Sequence, residues 1–165
     1  MSHRVLATSD IVRVKKTVLN TNDDATPRTS FATGDTIDYN LTTTIQQLPS
    51  SGDVSSITLA DVLPSGLSYN YDDEVVQGDP CPLVVSNDTP GAGQTTLTWT
   101  CTLADNLPPI INFSASVNAN VVSGTYTNSV VISSPSDSVS TTVERTSAVA
   151  ITVNTLGSFN VAKRS

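Results

Sequence analysis

The chain has 165 residues, a formal net charge of −7 and only 5% aromatic residues. This length suits one domain with a real hydrophobic core, and the acidic balance disfavours binding to phosphate backbones or to anionic lipid. No apolar run approaches the ~20 residues that a membrane helix requires. We therefore expect neither a nucleic-acid partner nor direct membrane insertion of this chain.

The first element in chain order is a predicted strand from Asp10 to Leu19 (DIVRVKKTVL), in which apolar residues alternate with polar ones. Alternation with a period of two places every second side chain on the same face of a strand. One face then carries Val12, Val14, Lys16 and Val18. Lys16 is therefore a charged residue on an apolar face.

Two further strands follow in GDTIDYNLTTTI and in VSSITLADVLPSGLSYN. The inward residues of the second predicted strand are Ile37, Tyr39, Leu41 and Ile45. The third predicted strand ends at Pro64 and Gly66. Its apolar face includes one acid, Asp61, together with Ile57, Leu59 and Leu63.

The later part of the chain repeats this pattern in TTLTWTCTL, PPIINFSASVNANVV and GTYTNSVVIS, and a last strand ends near AVAITVN. The TTLTWTCTL run places on one face Leu97, Trp99, Cys101 and Leu103, and GTYTNSVVIS similarly aligns Tyr126, Asn128, Val130 and Ile132. About eight short strands with regular turns and no amphipathic helix predict an all-β fold. The specific prediction is an immunoglobulin-like β-sandwich with Greek-key-type connections.

Domain boundaries follow from where the alternation begins and ends. Residues 1–9 are expected to be a tail that is disordered or added by cloning, and residues 10–155 the sandwich domain. The segment SFNVAKRS resembles DIVRVKKTV, with Val161 and Lys163 standing where Val14 and Lys16 stand. We therefore interpret residues 156–165 as a linker and the truncated first strand of a following repeat.

The two cysteines, Cys81 and Cys101, are an even pair in an acidic, threonine-rich, β-patterned chain. Such a pair favours a disulfide, and two separate buried thiols are the alternative. A bridge would close a loop of about 20 residues and add roughly 3 kcal/mol by restricting the unfolded chain.

Lys16, Asp61 and Asn128 are three inward polar residues on three different strands, where an isolated buried charge would lose several kcal/mol of solvation. Burial lowers the pKa of a lysine and raises that of a carboxyl group, so a neutral amine beside a protonated acid becomes accessible. The amine could then attack the Asn128 side-chain carbonyl and form an amide bond. The pattern leaves two alternatives open: an ordinary hydrogen-bonded buried cluster, or one of the three residues pointing outward at a strand bulge.

The segments VKKTV, GDTIDYNLT, ITLADVLPSGLSY, WTCTL and GTYTNSVVIS resemble, in this order, the bacterial DUF11 repeat domains. DUF11 repeats are similar to the immunoglobulin-like CnaA-type domains of Gram-positive adhesins and pilins. Many CnaA-type domains form an isopeptide bond between a first-strand lysine and a late asparagine, promoted by a buried acid. The resemblance assigns the lysine to Lys16, the asparagine to Asn128 and the acid to Asp61, with Asp35 of GDT as the alternative acid.

Conventional catalysis has little support, because the one histidine, His3, lies in the expected tail and no triad or zinc spacing appears. The acidic loops lack an EF-hand register, so we expect no metal and no cofactor. The sequence thus predicts a non-enzymatic structural repeat of an extracellular stalk or adhesin at the cell surface or cell wall. Its expected partners are neighbouring repeats. The alternative is an adhesion module that recognises a host protein or glycan through sandwich-end loops.

Overall fold

The computed structural model describes residues 12–20, 28–45, 56–71, 73–78, 80–86, 93–103, 108–134 and 146–155. Every regular element within these ranges is a β-strand. The strands are β1 (Val12–Val18), β2 (Ser30–Ala32), β3 (Thr36–Ile45), β4 (Ser56–Leu63), β5 (Leu67–Tyr69), β6 (Val75–Gln77), β7 (Leu83–Ser86), β8 (Thr95–Thr102), β9 (Ile110–Val117), β10 (Gly124–Ser133) and β11 (Thr146–Asn154).

These strands form two sheets. The first has the order β1-β3-β9-β5, with β6 also paired to β9, and the second has the order β2-β11-β10-β4-β8-β7. The short β2 pairs with β11 in parallel, whereas β10 pairs with both β11 and β4 in antiparallel fashion. Because the chain changes sheet between β3 and β4, between β4 and β5, and at each end of β9, the connections are of the Greek-key type. The predicted all-β sandwich is confirmed.

The core lies between the sheets and follows the alternation of the sequence. Every second residue of β1 and of β4 is buried, as period-two geometry requires. Three aromatic rings occupy its centre: the ring centroid of Phe113 lies 5.4 Å from that of Tyr39 and 5.3 Å from that of Trp99. This packing fixes the two sheets against each other around the polar residues described below.

The chain enters and leaves the sandwich at opposite ends. β1 begins with Val12 opposite Ile45, the last residue of β3. Near the end of β11, Val153 lies opposite Gly124, next to the short connection that joins Val117 of β9 to β10. Since β3 and β9 are antiparallel, the end marked by Val117 is the one remote from Ile45. Tension applied along the chain would therefore run the length of the sandwich.

Four short strands, β2, β5, β6 and β7, are additional to the strands predicted from the alternation. No helix in the described part of the chain is long and apolar enough to span a membrane. The predictions for residues 1–9 and 156–165 lie outside the described residues.

Candidate functional site: a buried lysine, acid and amide

Three strands bring Lys16, Asp61 and Asn128 into the core, with exposed fractions of 3%, 0% and 0%. Lys16 comes from β1 in the first sheet, while Asp61 on β4 and Asn128 on β10 belong to the second. Val130 lies directly opposite Asp61, so Asn128, two residues before it, shares the same inward face. The predicted parity of all three residues is confirmed.

Lys16 spans the space between the sheets. Its Nζ donates to Oδ2 of Asp61, forming an ion pair with no solvent exposure of either side chain. The same Nζ lies 4.4 Å from the ring centroid of Tyr39 and 4.7 Å from that of Phe113. The Lys16 backbone N–H donates to Oγ of Ser147 on β11 at 2.9 Å. Lys16 therefore links the two sheets through both its backbone and its side chain.

Burial controls the protonation of this pair. Desolvation lowers the pKa of Lys16 from 10.5 to about 8, although the charge of Asp61 opposes the shift. Desolvation also raises the pKa of Asp61, against the opposing effect of Lys16. Both shifts favour the uncharged forms, so moving one proton from the ammonium to the carboxylate costs far less here than in water.

Asn128 is the least satisfied member of the site. Neither Nδ2 nor Oδ1 of its side chain has a hydrogen-bond partner in the described part of the chain, and Oδ1 of Asp61 and the Tyr39 hydroxyl also lack one. A polar interaction with Asn128 nevertheless lowers the pKa values of both Asp61 and Tyr39, so the amide lies close to both. Leaving a buried amide unpaired costs ~1–3 kcal/mol. The Asn128 amide is thus buried beside the ion pair without a full set of hydrogen bonds.

Asp35, the alternative acid, lies elsewhere. It precedes β3, and the β3 residue opposite Lys16 is Leu41, about 20 Å further along the strand at the usual rise. One Asp35 oxygen accepts from Nη2 of Arg28 at 2.5 Å and from the backbone N–H of Ala32 at 2.9 Å. Asp35 thus caps the turn before β3, and the structure does not bring it to Lys16.

The cysteine pair forms a disulfide between Cys81 and Cys101. Leu83 of β7 lies opposite Trp99 of β8, so the bridge joins the next pair of opposed inward positions along the same two strands. It closes a loop with a sequence separation of 20 residues, which corresponds to about 3 kcal/mol of stabilisation through the unfolded chain. The predicted pairing is confirmed, and it secures β7 at the edge of the second sheet.

Two hydrogen bonds from core strands to acidic side chains were not predicted from the sequence. Nε1 of Trp99 donates to Oε2 of Glu74, and Oγ of Ser114 donates to Oδ2 of Asp73 at 2.8 Å. A buried indole needs an acceptor for its N–H, and that requirement was the available signal.

In the described ranges, no group of three or more His, Cys, Asp or Glu side chains is arranged to hold a metal ion.

Comparison with solved structures identifies the architecture. The chain superposes on the major pilin SpaA of Corynebacterium diphtheriae with a TM-score of 0.59 at 19% identity, covering 84% of this chain and 38% of the pilin. An N-terminal adhesin domain of Streptococcus gordonii gives 0.61 at 15% identity, over 86% of this chain and 32% of that one. The collagen-binding domain of a Staphylococcus aureus adhesin gives 0.51 at 12% identity, over 86% and 96%.

This chain has the fold of pilin and adhesin domains. It spans well under two thirds of the length of the first pilins that it matches. A scan of protein-family models and a sequence search of curated proteins both gave no match. The resemblance to DUF11 repeats therefore stays a prediction.

Proposed function

We propose that this domain is a structural module of a bacterial cell-surface stalk or adhesin, of the DUF11 repeat kind, which forms its own isopeptide bond between Lys16 and Asn128. The observation that carries the proposal is the fully buried Asn128 amide, unpaired and close to the Lys16–Asp61 ion pair. A natural sequence that keeps an unsatisfied amide beside a buried amine has a use for it beyond packing. The pilin SpaA, which shares the fold, is described as having stabilising isopeptide bonds.

The chemistry needs no cofactor. Lys16 passes a proton to Asp61, and its neutral Nζ attacks Cγ of Asn128. Asp61 then gives its proton to Nδ2 of Asn128 and takes one from the Lys16 nitrogen. The C–Nδ2 bond breaks, ammonia leaves, and Asp61 is again protonated. The folded core holds the reacting groups together, and well-oriented intramolecular reactions of this kind have barriers lowered by ~7–11 kcal/mol.

The resulting bond would serve a mechanical purpose. It would join β1 of the first sheet to β10 of the second, and so fasten the two sheets to each other. Because the chain enters and leaves at opposite ends, tension would pass from β1 through this bond to β10 without separating the sheets. The protein would act as a spacer outside the cell, with neighbouring repeats as partners, and each molecule would react only once.

Single-molecule stretching tests this function. With the disulfide reduced in both samples, we expect the wild-type domain to extend less on unfolding than the Lys16→Met variant. The bond would prevent the segment between positions 16 and 128 from extending, which is roughly 110 residues or about 390 Å of extended chain. Equal extensions of the two proteins would contradict the proposal.

The second candidate function is ligand binding by loops at one end of the sandwich. A cavity of about 460 Å³ lies there, lined by Gly66 of the β4–β5 connection, by Asn118 and Val122 of the β9–β10 connection, and by Tyr126 of β10. Val122 is the most exposed large apolar residue in the described ranges, at 71%. This candidate would be favoured if the domain binds a host protein or glycan and the Val122→Asp variant does not. The variant should still lose the one ammonia that cross-linking releases.

A further inference from the structure

Lys16 is held at its backbone as well as at its amine. Its backbone N–H donates to Oγ of Ser147 at 2.9 Å, across the seam between the two sheets. β1 lies at the edge of the first sheet, with β3 as its neighbour. In an antiparallel pair, every second residue directs its backbone groups away from the partner strand. Lys16 is one of these residues, and Ser147 supplies the acceptor that β3 cannot.

Ser147 and Asp61 belong to one row of the second sheet. Val130 of β10 lies opposite Ser147 of β11 on one side and opposite Asp61 of β4 on the other. Residues that lie opposite each other share a face of the sheet, so all three side chains point inward. Neighbouring strands are ~4.8 Å apart, which separates Ser147 from Asp61 by roughly twice that spacing. Lys16 covers this distance, with its backbone at Ser147 and its amine at Asp61.

This attachment at two ends fixes where the amine lies along β10. Asn128 is the inward residue next to Val130, ~7 Å along the strand. If β1 slipped against the second sheet by one inward position, the backbone of Lys16 would move by the same distance. The ion pair with Asp61 holds only the tip of a long, flexible side chain, whereas the bond to Ser147 holds the backbone from which that side chain starts.

We propose that Ser147 is a positioning residue for the cross-link. Its hydroxyl holds the Lys16 backbone on the row of Asp61, and so keeps the amine within reach of the Asn128 amide. This inference rests on the proposed function. The rate of an intramolecular reaction depends steeply on the placement of the reacting groups, and loss of this bond would let the edge strand move against the second sheet.

The test compares Ser147→Thr with Ser147→Val. The two new side chains are both β-branched and suit a strand equally, and they differ in the hydroxyl. The full chain is made by cell-free synthesis, samples are quenched in acid denaturant over time, and the loss of ammonia is followed by intact mass. We expect Ser147→Thr to react at about the wild-type rate. Ser147→Val should react about 3 to 10 times more slowly, the factor expected for one hydrogen bond.

Two further measurements separate positioning from other effects. Trp99 fluorescence in the same reactions reports the rate of folding, which should be equal in the two variants. The pH dependence of cross-linking should also be equal, because Ser147 binds the backbone of Lys16 and not its titrating amine. The matched control is Thr152→Val, which removes a hydroxyl from the exposed outer face of the same strand and should leave the rate of ammonia loss unchanged.

Equal rates of ammonia loss in Ser147→Thr and Ser147→Val would overturn the inference and leave the proposed function intact. A slower rate in Ser147→Val that follows slower folding, or that comes with a changed pH dependence, would overturn the inference as well. A wild-type protein that folds without losing ammonia would instead overturn the proposed function.

Discussion

An Asp61→Ala variant is expected to retain the ammonia that wild type loses, and to lose about 8–10 kcal/mol of stability. Two effects combine in this estimate. Without the acid the cross-link does not form, which forfeits about 5 kcal/mol for a closed loop of roughly 100 residues. The Lys16 charge is also left unpaired in the core, which costs about 3–5 kcal/mol. Chemical denaturation and intact mass measure the two consequences separately.

Two control variants separate these effects. The double substitution Lys16→Met with Asp61→Leu removes both charges together, so it should lose only the roughly 5 kcal/mol of the cross-link. Asp35→Ala removes a partly exposed pairing with Arg28 and should change stability by about 1 kcal/mol or less, with the ammonia still lost. If Asp35→Ala kept its ammonia and Asp61→Ala lost it, the acid that promotes the reaction would be Asp35 and not Asp61.

The second large effect is a dependence of stability on alkaline pH that appears only when the cross-link is absent. In Asn128→Leu, Lys16 and Asp61 remain but no amide is available. The folded-state pKa of Lys16 is about 8, against 10.5 in the unfolded chain. Between these values the unfolded state binds more protons, so stability rises with pH, by about 3 kcal/mol across the window.

Wild type should lack this rise, because the nitrogen of an amide does not titrate. Both proteins should lose stability as pH increases above the unfolded pKa of 3.8 through the raised pKa of Asp61, since the folded state then holds a proton that the unfolded state has released. Urea denaturation at a series of pH values measures both the loss of stability at acid pH and the rise at alkaline pH. Adding Lys16→Met to Asn128→Leu should abolish the alkaline rise, and an equal rise in wild type would show that Lys16 is free.

The sequence was informative wherever a side chain lies within a strand of regular alternation. Parity alone placed Lys16, Asp61 and Asn128 inside, because a one-residue shift would expose the whole apolar set of each strand. The Cys81–Cys101 pair followed instead from the even number of cysteines, and parity added only that Cys101 lies on the Trp99 face. The buried faces of the long strands were thus predictable from the residues themselves.

Contacts made from irregular segments were not predictable in this way. Glu74 reaches Trp99 from the segment before β6, and periodicity has no meaning in such a segment. Tyr39 was recognised as a core residue, yet the lack of a partner for its hydroxyl depends on which side chains of the opposite sheet face it. Parity gives the face of a strand but not the pairing of sheets across the core. The same limit left Asp35 and Asp61 as alternatives until their positions along the strands were known.

The intact mass of the folded wild-type protein shows whether Lys16 and Asn128 are joined. We expect a chain lighter than its sequence by one ammonia and, before reduction, by two further hydrogens from the disulfide. Fragmentation should then recover the peptide containing Lys16 joined to the peptide containing Asn128. A fully folded protein whose reduced chain has the unmodified mass would show that no cross-link forms, and the buried amine, acid and amide would then be packing partners only.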